Sequence, residues 1–198
     1  VALVKSNRAL FKESYPRRIV NSIYLDTSNH SFAEDNLAGI FNRVKPRIRW
    51  YGHQKDQIRD GVLELKQKRN LLGSKKKYPF GSMSLSREVF REQLSKKLYR
   101  LCQDNPELTF LRELGASLMT RYMRQYFASA DLKFRITIDT DIRYSAISGF
   151  GRRITNPLKD YGLVILELKY DQNTSGVDEV IREFPFRFSK SSKYVTGV

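Results

Sequence analysis

One cysteine, Cys102, rules out an internal disulfide and any cysteine cluster for a metal; its place after an amphipathic run reads as core. Two histidines, His30 and His53, lie far apart in polar stretches without ligand spacing and read as surface residues. No run approaches the ~20 apolar residues of a membrane span. Lys5, Arg8, Lys12 and Glu13 interrupt the apolar start that a signal peptide requires. Gly149-Phe150-Gly151 is too short for a dinucleotide fingerprint, and no RNA-binding motif of interleaved aromatic and basic residues occurs. Negative charge is also scarce, with 21 Asp and Glu against 36 Lys and Arg, a net +15. Such a balance calls for a polyanionic partner: nucleic acid, an acidic membrane surface or phosphate chains. A reducing, cytosolic setting fits the cysteine count.

What is present is enough for a packed globule. Hydrophobic residues make up 40% and aromatics 12% of 198 residues, which fits one domain over 1–198. Leu3, Val4, Leu10 and Phe11 suggest a short helix over Ala2–Phe11, closed by Tyr15-Pro16. Strands are expected at Arg18–Asp26, Arg43–Tyr51, Val62–Lys68, Leu118–Phe127, Leu132–Asp139 and Leu163–Tyr170. Gly73–Ser84, rich in lysine and serine and carrying Lys75, Lys76 and Lys77, reads as a mobile loop. Two amphipathic helices follow. Ser86 caps the first, which stripes Val89, Phe90, Leu94, Leu98 and Leu101, and Pro106 starts the second. Val177–Arg182 reads as a further short helix, and Lys190 and Lys193 would share a face if the tail from Phe188 to Tyr194 is helical.

Residues two apart on a strand share a face. This groups Arg43, Lys45, Arg47 and Arg49; Glu64, Lys66 and Lys68; Tyr122, Arg124 and Tyr126; Lys133, Arg135, Thr137 and Asp139; and Glu167 with Lys169. The opposite faces carry Leu63, Leu65, Phe134, Ile136, Ile138, Leu166 and Leu168. Five polar faces thus hold ten cations (Arg43, Lys45, Arg47, Arg49, Lys66, Lys68, Arg124, Lys133, Arg135, Lys169) against Glu64, Asp139 and Glu167. A solvated sheet face normally mixes signs, because like charges ~8 Å apart cost roughly 2 kcal/mol at an effective dielectric of 20. An excess of this size implies that an anion is expected there. The fold class that places every element is α+β: an antiparallel β-barrel with a basic interior, its apolar exterior covered by the helices.

Six collinear blocks run through the chain: Val20–Thr27, Arg47–Gly52, Leu63–Lys66, Arg135–Thr140, Leu166–Tyr170 and Ser192–Gly197. Together they resemble the VTC domain, the polyphosphate-polymerase branch of the triphosphate tunnel metalloenzymes (CYTH-like). The resemblance implies metal-dependent phosphoryl transfer from ATP to inorganic polyphosphate inside a basic tunnel, with Mn²⁺ or Mg²⁺ as cofactor. It implies that Arg47, Arg49 and Lys66 act on substrate phosphates with Lys45, Tyr122, Arg124 and Arg135 extending the lining. Lys190 and Lys193 would meet phosphate or the growing chain near a mouth, and Glu167 would bind the metal. The alternatives are a triphosphatase in the same tunnel and a non-catalytic polyphosphate- or polyanion-binding module. ATP and polyphosphate are the expected partners and nucleic acid is not. A membrane partner would lie outside this chain, and the expected location is the cytoplasm, including the cytosolic face of a membrane. Members of this family open with a strand bearing a basic residue and a Tyr before the first helix, whereas this sequence begins at that helix, so that wall is expected to be missing. The Glu-x-Glu-x-Lys cluster of other branches is not seen.

Overall fold

The computed structural model describes residues 1–53, 56–69, 72–148 and 153–198. A short helix α1 (Ala2–Lys5) leads to strand β1 (Lys12–Asp26), helix α2 (Ser31–Leu37) and strands β2 (Arg43–Tyr51), β3 (Gln57–Arg69) and β4 (Leu72–Ser84). Helix α3 (Phe90–Asp104) and a 3-10 helix (Pro106–Glu113) precede strands β5 (Gly115–Ala128) and β6 (Arg135–Ser148). The remaining elements are strands β7 (Arg153–Ile154), β8 (Leu158–Lys159) and β9 (Ile165–Lys169) and helices α4 (Val177–Arg182) and α5 (Lys193–Gly197). Gly149 and Gly151 lie outside the described residues.

All strand pairings are antiparallel, in the order β4-β3-β2-β1-β5-β6, and β6 pairs in turn with β9, β8 and β7 along its length. The sheet curls into a half-barrel. Five strand steps separate β3 from β9, a distance of ~24 Å on a flat sheet at ~4.8 Å per step. Lys66 on β3 nevertheless helps to lower the Glu167 carboxyl of β9, which a flat sheet of that span would not allow. Register shifts supply the bending: one between Tyr15 and Arg18 in β1, one at Gly61 in β3 and one near Asp141 in β6. At Gly61 a Cβ would stand 2.7 Å from Ile58 Cγ2 and 2.9 Å from the Gly81 carbonyl, so only glycine allows β3 and β4 to approach there.

The convex face is apolar and covered. Phe90, Leu94, Leu98 and Cys102, four residues apart along α3, bury against Ile48, Trp50, Leu63 and Leu65 of β2 and β3, joined by Leu108 and Leu111 of the 3-10 helix. Each such aliphatic or aromatic side chain contributes roughly 2 kcal/mol by leaving water. A second cluster packs Val4 of α1, Val180 of α4 and Phe184 on Phe127, Ile136 and Ile138. Among the described residues no helix is long and apolar enough to cross a membrane.

Four elements differ from the sequence reading. The first helix ends at Lys5 and β1 begins at Lys12, with Pro16 in a register shift where its missing N–H breaks no ladder bond. The lysine-rich segment read as a loop is strand β4, which pairs with β3 along its length. Its alternation explains this: Tyr78 and Phe80 pack on the convex core while Lys75 and Lys77 take the other face, and lysines on an edge strand discourage pairing with other chains. Ser86 engages the start of α3 through its carbonyl rather than its hydroxyl, which bonds Glu88. The helix at Pro106 is 3-10 rather than α.

Candidate functional site: a basic cavity in the half-barrel

The concave face follows from register. Ser22 lies opposite Arg49 and Tyr24 opposite Arg47 across β1 and β2; Arg47 faces Glu64 and Lys45 faces Lys66 across β2 and β3. On the other side Arg18 lies opposite Arg124, Arg124 opposite Asp139, and Thr137 opposite Glu167. Lys75 and Lys77 of β4 fall on the same face as Glu64 and Lys66. The period-2 grouping read from the sequence therefore holds across the sheet. Lys133 is the exception, since β6 starts at Arg135 and Lys133 sits in the preceding turn, 3.6 Å from Asp131.

Two carboxylates organise the cations. Glu64, 4% exposed, takes bonds from Arg47 Nε at 2.9 Å and Nη2 at 2.8 Å, and it pairs with Lys75 and, at 3.4 Å, with Arg49 Nη1. Burial alone would raise its carboxyl, but Arg47, Arg49 and Lys75 pull it down to about 2. Asp139, 1% exposed, receives Arg124 through two parallel bonds of 2.6 and 2.7 Å and Lys193 Nζ at 2.5 Å. Those partners likewise hold it below the usual carboxylate range against the cost of burial.

Tyr122 stands between the two groups. Its hydroxyl accepts Arg49 Nη2 at 3.2 Å, and Lys193 Nζ and the Arg124 guanidinium lie 4.6 and 5.2 Å from its ring centroid. Burial pushes its phenol up to about 12. Lys45 is depressed to about 8, first by burial and then by Lys66, Arg43 and Arg47, and it donates to Ser192 Oγ at 3.3 Å. Cations packed this closely are destabilised in the absence of a further anion.

Helix α5 packs against one end of the concave face. Tyr194 stacks on Tyr24 with centroids 4.7 Å apart, and its hydroxyl donates to Asp26. Asp26 also accepts the Phe32 and Ala33 amides at 3.0 Å, which ties α2 to the same seat. A side chain at Gly197 would collide with Tyr144 and Leu118.

The expected site residues fall into two groups. Lys45, Arg47, Arg49, Lys66, Tyr122, Arg124, Glu167 and Lys193 share the concave face, and Arg135 is exposed at the start of β6 beside Lys169. Lys190 does not share a helical face with Lys193: α5 begins at Lys193 after Ser192, whose extended backbone (φ −139°) breaks any helix continuing from Lys190, and Lys190 is exposed. Sequence reasoning missed Lys75, which the Lys75-x-Lys77 alternation beside Tyr78 and Phe80 signals, and Ser22, whose hydroxyl accepts Arg49 Nε at 3.3 Å.

For a divalent cation the donor set is thin. No group of three or more His, Cys, Asp or Glu side chains gathers among the described residues. Glu64 and Asp139 are saturated with cations, whereas Glu167 is about half exposed, pairs with Lys169 at 3.2 Å and is held ionised by Lys169, Arg124 and Lys66. One ionised, accessible carboxylate fits a hard cation that brings its other ligands as phosphate oxygens and water.

A family model for the VTC domain matches residues 3–198. No curated protein sequence matches the chain. Among solved structures, a Hippeastrum protein described as an adenylyl cyclase with a dominant triphosphatase activity aligns at TM-score 0.45 and 14% identity, covering 93% of this chain and 83% of its own. A Bacillus halodurans protein described as an adenylate cyclase aligns at TM-score 0.47 and 10% identity, over 89% and 80%. A Pyrococcus horikoshii protein aligns at 0.41 and 12%, over 92% and 77%.

Proposed function

Because the chain belongs to the VTC domain family, within the triphosphate tunnel metalloenzymes, we propose that its basic cavity transfers the terminal phosphate of ATP onto inorganic polyphosphate. One observation carries the reading: Arg47, Arg49, Lys75, Arg124 and Lys193 converge on only two carboxylates, so the concave face holds more positive charge than the protein neutralises. A phosphate chain supplies that charge, and its oxygens match the forked donors of arginine.

Phosphoryl transfer needs alignment and charge neutralisation more than a protein nucleophile. In this reading Arg47, Arg49 and Lys66 hold the donor phosphates, with Lys45 beside them, and Arg124, Tyr122 and Arg135 continue the lining. Lys193 and the exposed Lys190 meet the acceptor chain toward α5. Glu64 and Asp139 keep the guanidinium groups oriented before substrate arrives, so their geometry need not be rebuilt during reaction. Family membership implies a divalent cation; Mn²⁺ or Mg²⁺ would be held by Glu167 and would neutralise charge on the transferred group.

The test is incubation of the chain with ATP and Mn²⁺ or Mg²⁺, followed by a gel stained for polyphosphate. Long polymer supports the reading, release of free phosphate alone points to a triphosphatase, and tripolyphosphate binding without turnover points to a binding module. Glu167→Gln should abolish turnover in either enzymatic case and leave a pure binding module unaffected.

A further inference from the structure

The phosphate-transfer reading leaves the end of the cavity opposite α5 unassigned. Four side chains gather there on the concave face. The Arg18 guanidinium carbon lies 4.1 Å from the Tyr51 ring centroid and 4.9 Å from that of Tyr126, and Arg18 Nε donates to the Tyr126 hydroxyl at 3.0 Å. Tyr15 meets Tyr126 edge-on at 5.9 Å. The cluster is open to solvent: Tyr15 is 62% and Tyr51 42% exposed, and Arg18 is exposed as well. The register shift between Tyr15 and Arg18 places the two side chains on one face at the rim, a common use of bulges beside functional sites.

Register also fixes the distance to the phosphate grip. Arg18 lies opposite Arg124, and Val20, the next residue on that face, lies opposite both Tyr51 and Tyr122. Same-face neighbours on a strand are ~7 Å apart, so the cluster begins beside Arg124 and one step beyond Arg49 and Tyr122. That step matches the span from the phosphates of a nucleotide to its base.

We propose that this rim is a nucleobase shelf: the base of a nucleoside triphosphate whose phosphates lie on Arg49 and Arg124 stacks against the group formed by Arg18, Tyr51 and Tyr126. The proposal rests on the phosphate-transfer reading and names where that donor keeps its base. Aromatic and guanidinium faces hold bases by stacking, which every base offers. Among the described residues the cluster presents no amide or carboxylate to read a base edge, so purines bind more tightly than pyrimidines by area and adenine is not singled out from guanine. The shelf also sets polarity: the nucleoside sits at this rim and the polymer extends toward α5.

The test is calorimetric titration, without divalent cation so that no turnover intrudes, of ATP, CTP and inorganic tripolyphosphate into the unaltered chain and into Tyr51→Ala, Tyr51→Phe and Arg18→Ala. The expected result is a loss of about tenfold in ATP affinity for the two alanine variants, in line with one base stack. Tripolyphosphate affinity stays within about twofold, Tyr51→Phe retains ATP binding, and ATP binds more tightly than CTP to the unaltered chain. The shelf is overturned if the alanine variants leave ATP affinity unchanged or weaken ATP and tripolyphosphate by the same factor. If the unaltered chain fails to bind tripolyphosphate, the phosphate reading falls and takes the shelf with it.

Discussion

Glu64→Gln removes one charge and keeps the side-chain shape, so it isolates what the carboxylate does for the cations around it. Glu64 is 4% exposed and holds Arg47, Arg49 and Lys75 at once. Its displacement from 4.5 to about 2 corresponds to about 3 kcal/mol of native-state stability at 1.36 kcal/mol per pH unit. A second route reaches the same size, since removing one partner of a buried ion pair typically costs about 3–5 kcal/mol by stranding the other. The sign follows from the direction: the folded pKa is depressed, so this stability is complete above the ordinary carboxylate value and is lost as pH falls from 4.5 toward 2. Near neutral pH the variant should therefore melt about 6–12 °C lower, at about 2–4 °C per kcal/mol for a domain of this size. The difference should shrink as acid protonates Glu64 in the unaltered chain.

The same substitution frees three cations for an incoming phosphate chain. Saturating tripolyphosphate should therefore raise the melting temperature of Glu64→Gln by more than it raises that of the unaltered chain, because ligand binding to the native state adds to stability by mass action. Thermal unfolding followed by circular dichroism, with and without tripolyphosphate, reads both effects. A fall of under about 2 °C without ligand, or a smaller ligand shift in the variant than in the unaltered chain, would refute the claim that this carboxylate holds a place for phosphate.

Further outcomes follow from the remaining contacts. Asp139→Asn weakens the hold on Arg124 and Lys193, so amide hydrogens of residues 193–197 should exchange faster; unchanged exchange would show that α5 is seated by Tyr194 alone. Affinity for ATP should fall as pH rises through about 8, where Lys45 loses its proton, and Lys45→Met should remove that step. Lys75→Ala should weaken tripolyphosphate binding about fivefold, the size of one partly screened ion contact of ~1 kcal/mol; an unchanged constant would return Lys75 to the role of a solvated edge lysine. Leu94→Ala in α3 should cost about 2–5 kcal/mol, read as a lower urea midpoint, because its side chain is 2% exposed in the convex core.

The faces of the sheet were legible in the sequence because strand geometry forces side chains to alternate, so Arg47 and Arg49 could be grouped without knowing their neighbours. The partners of those residues were not legible, since pairing depends on register between strands far apart in the chain: Arg124 meets Asp139 only because the bulge near Asp141 sets that stretch of β6 against β5. Strand β4 was hidden for a related reason. Three consecutive lysines resemble solvated chain until β3 offers its open edge, after which the ladder bonds and the buried Phe80 outweigh the local preference. The same reasoning separates the three acidic residues that strand alternation alone placed together. Register hands Glu64 and Asp139 several cations each and leaves Glu167 with Lys169 on a more exposed stretch of the concave face, so the three carboxylates differ in how many cations they hold and in how far they are open to solvent.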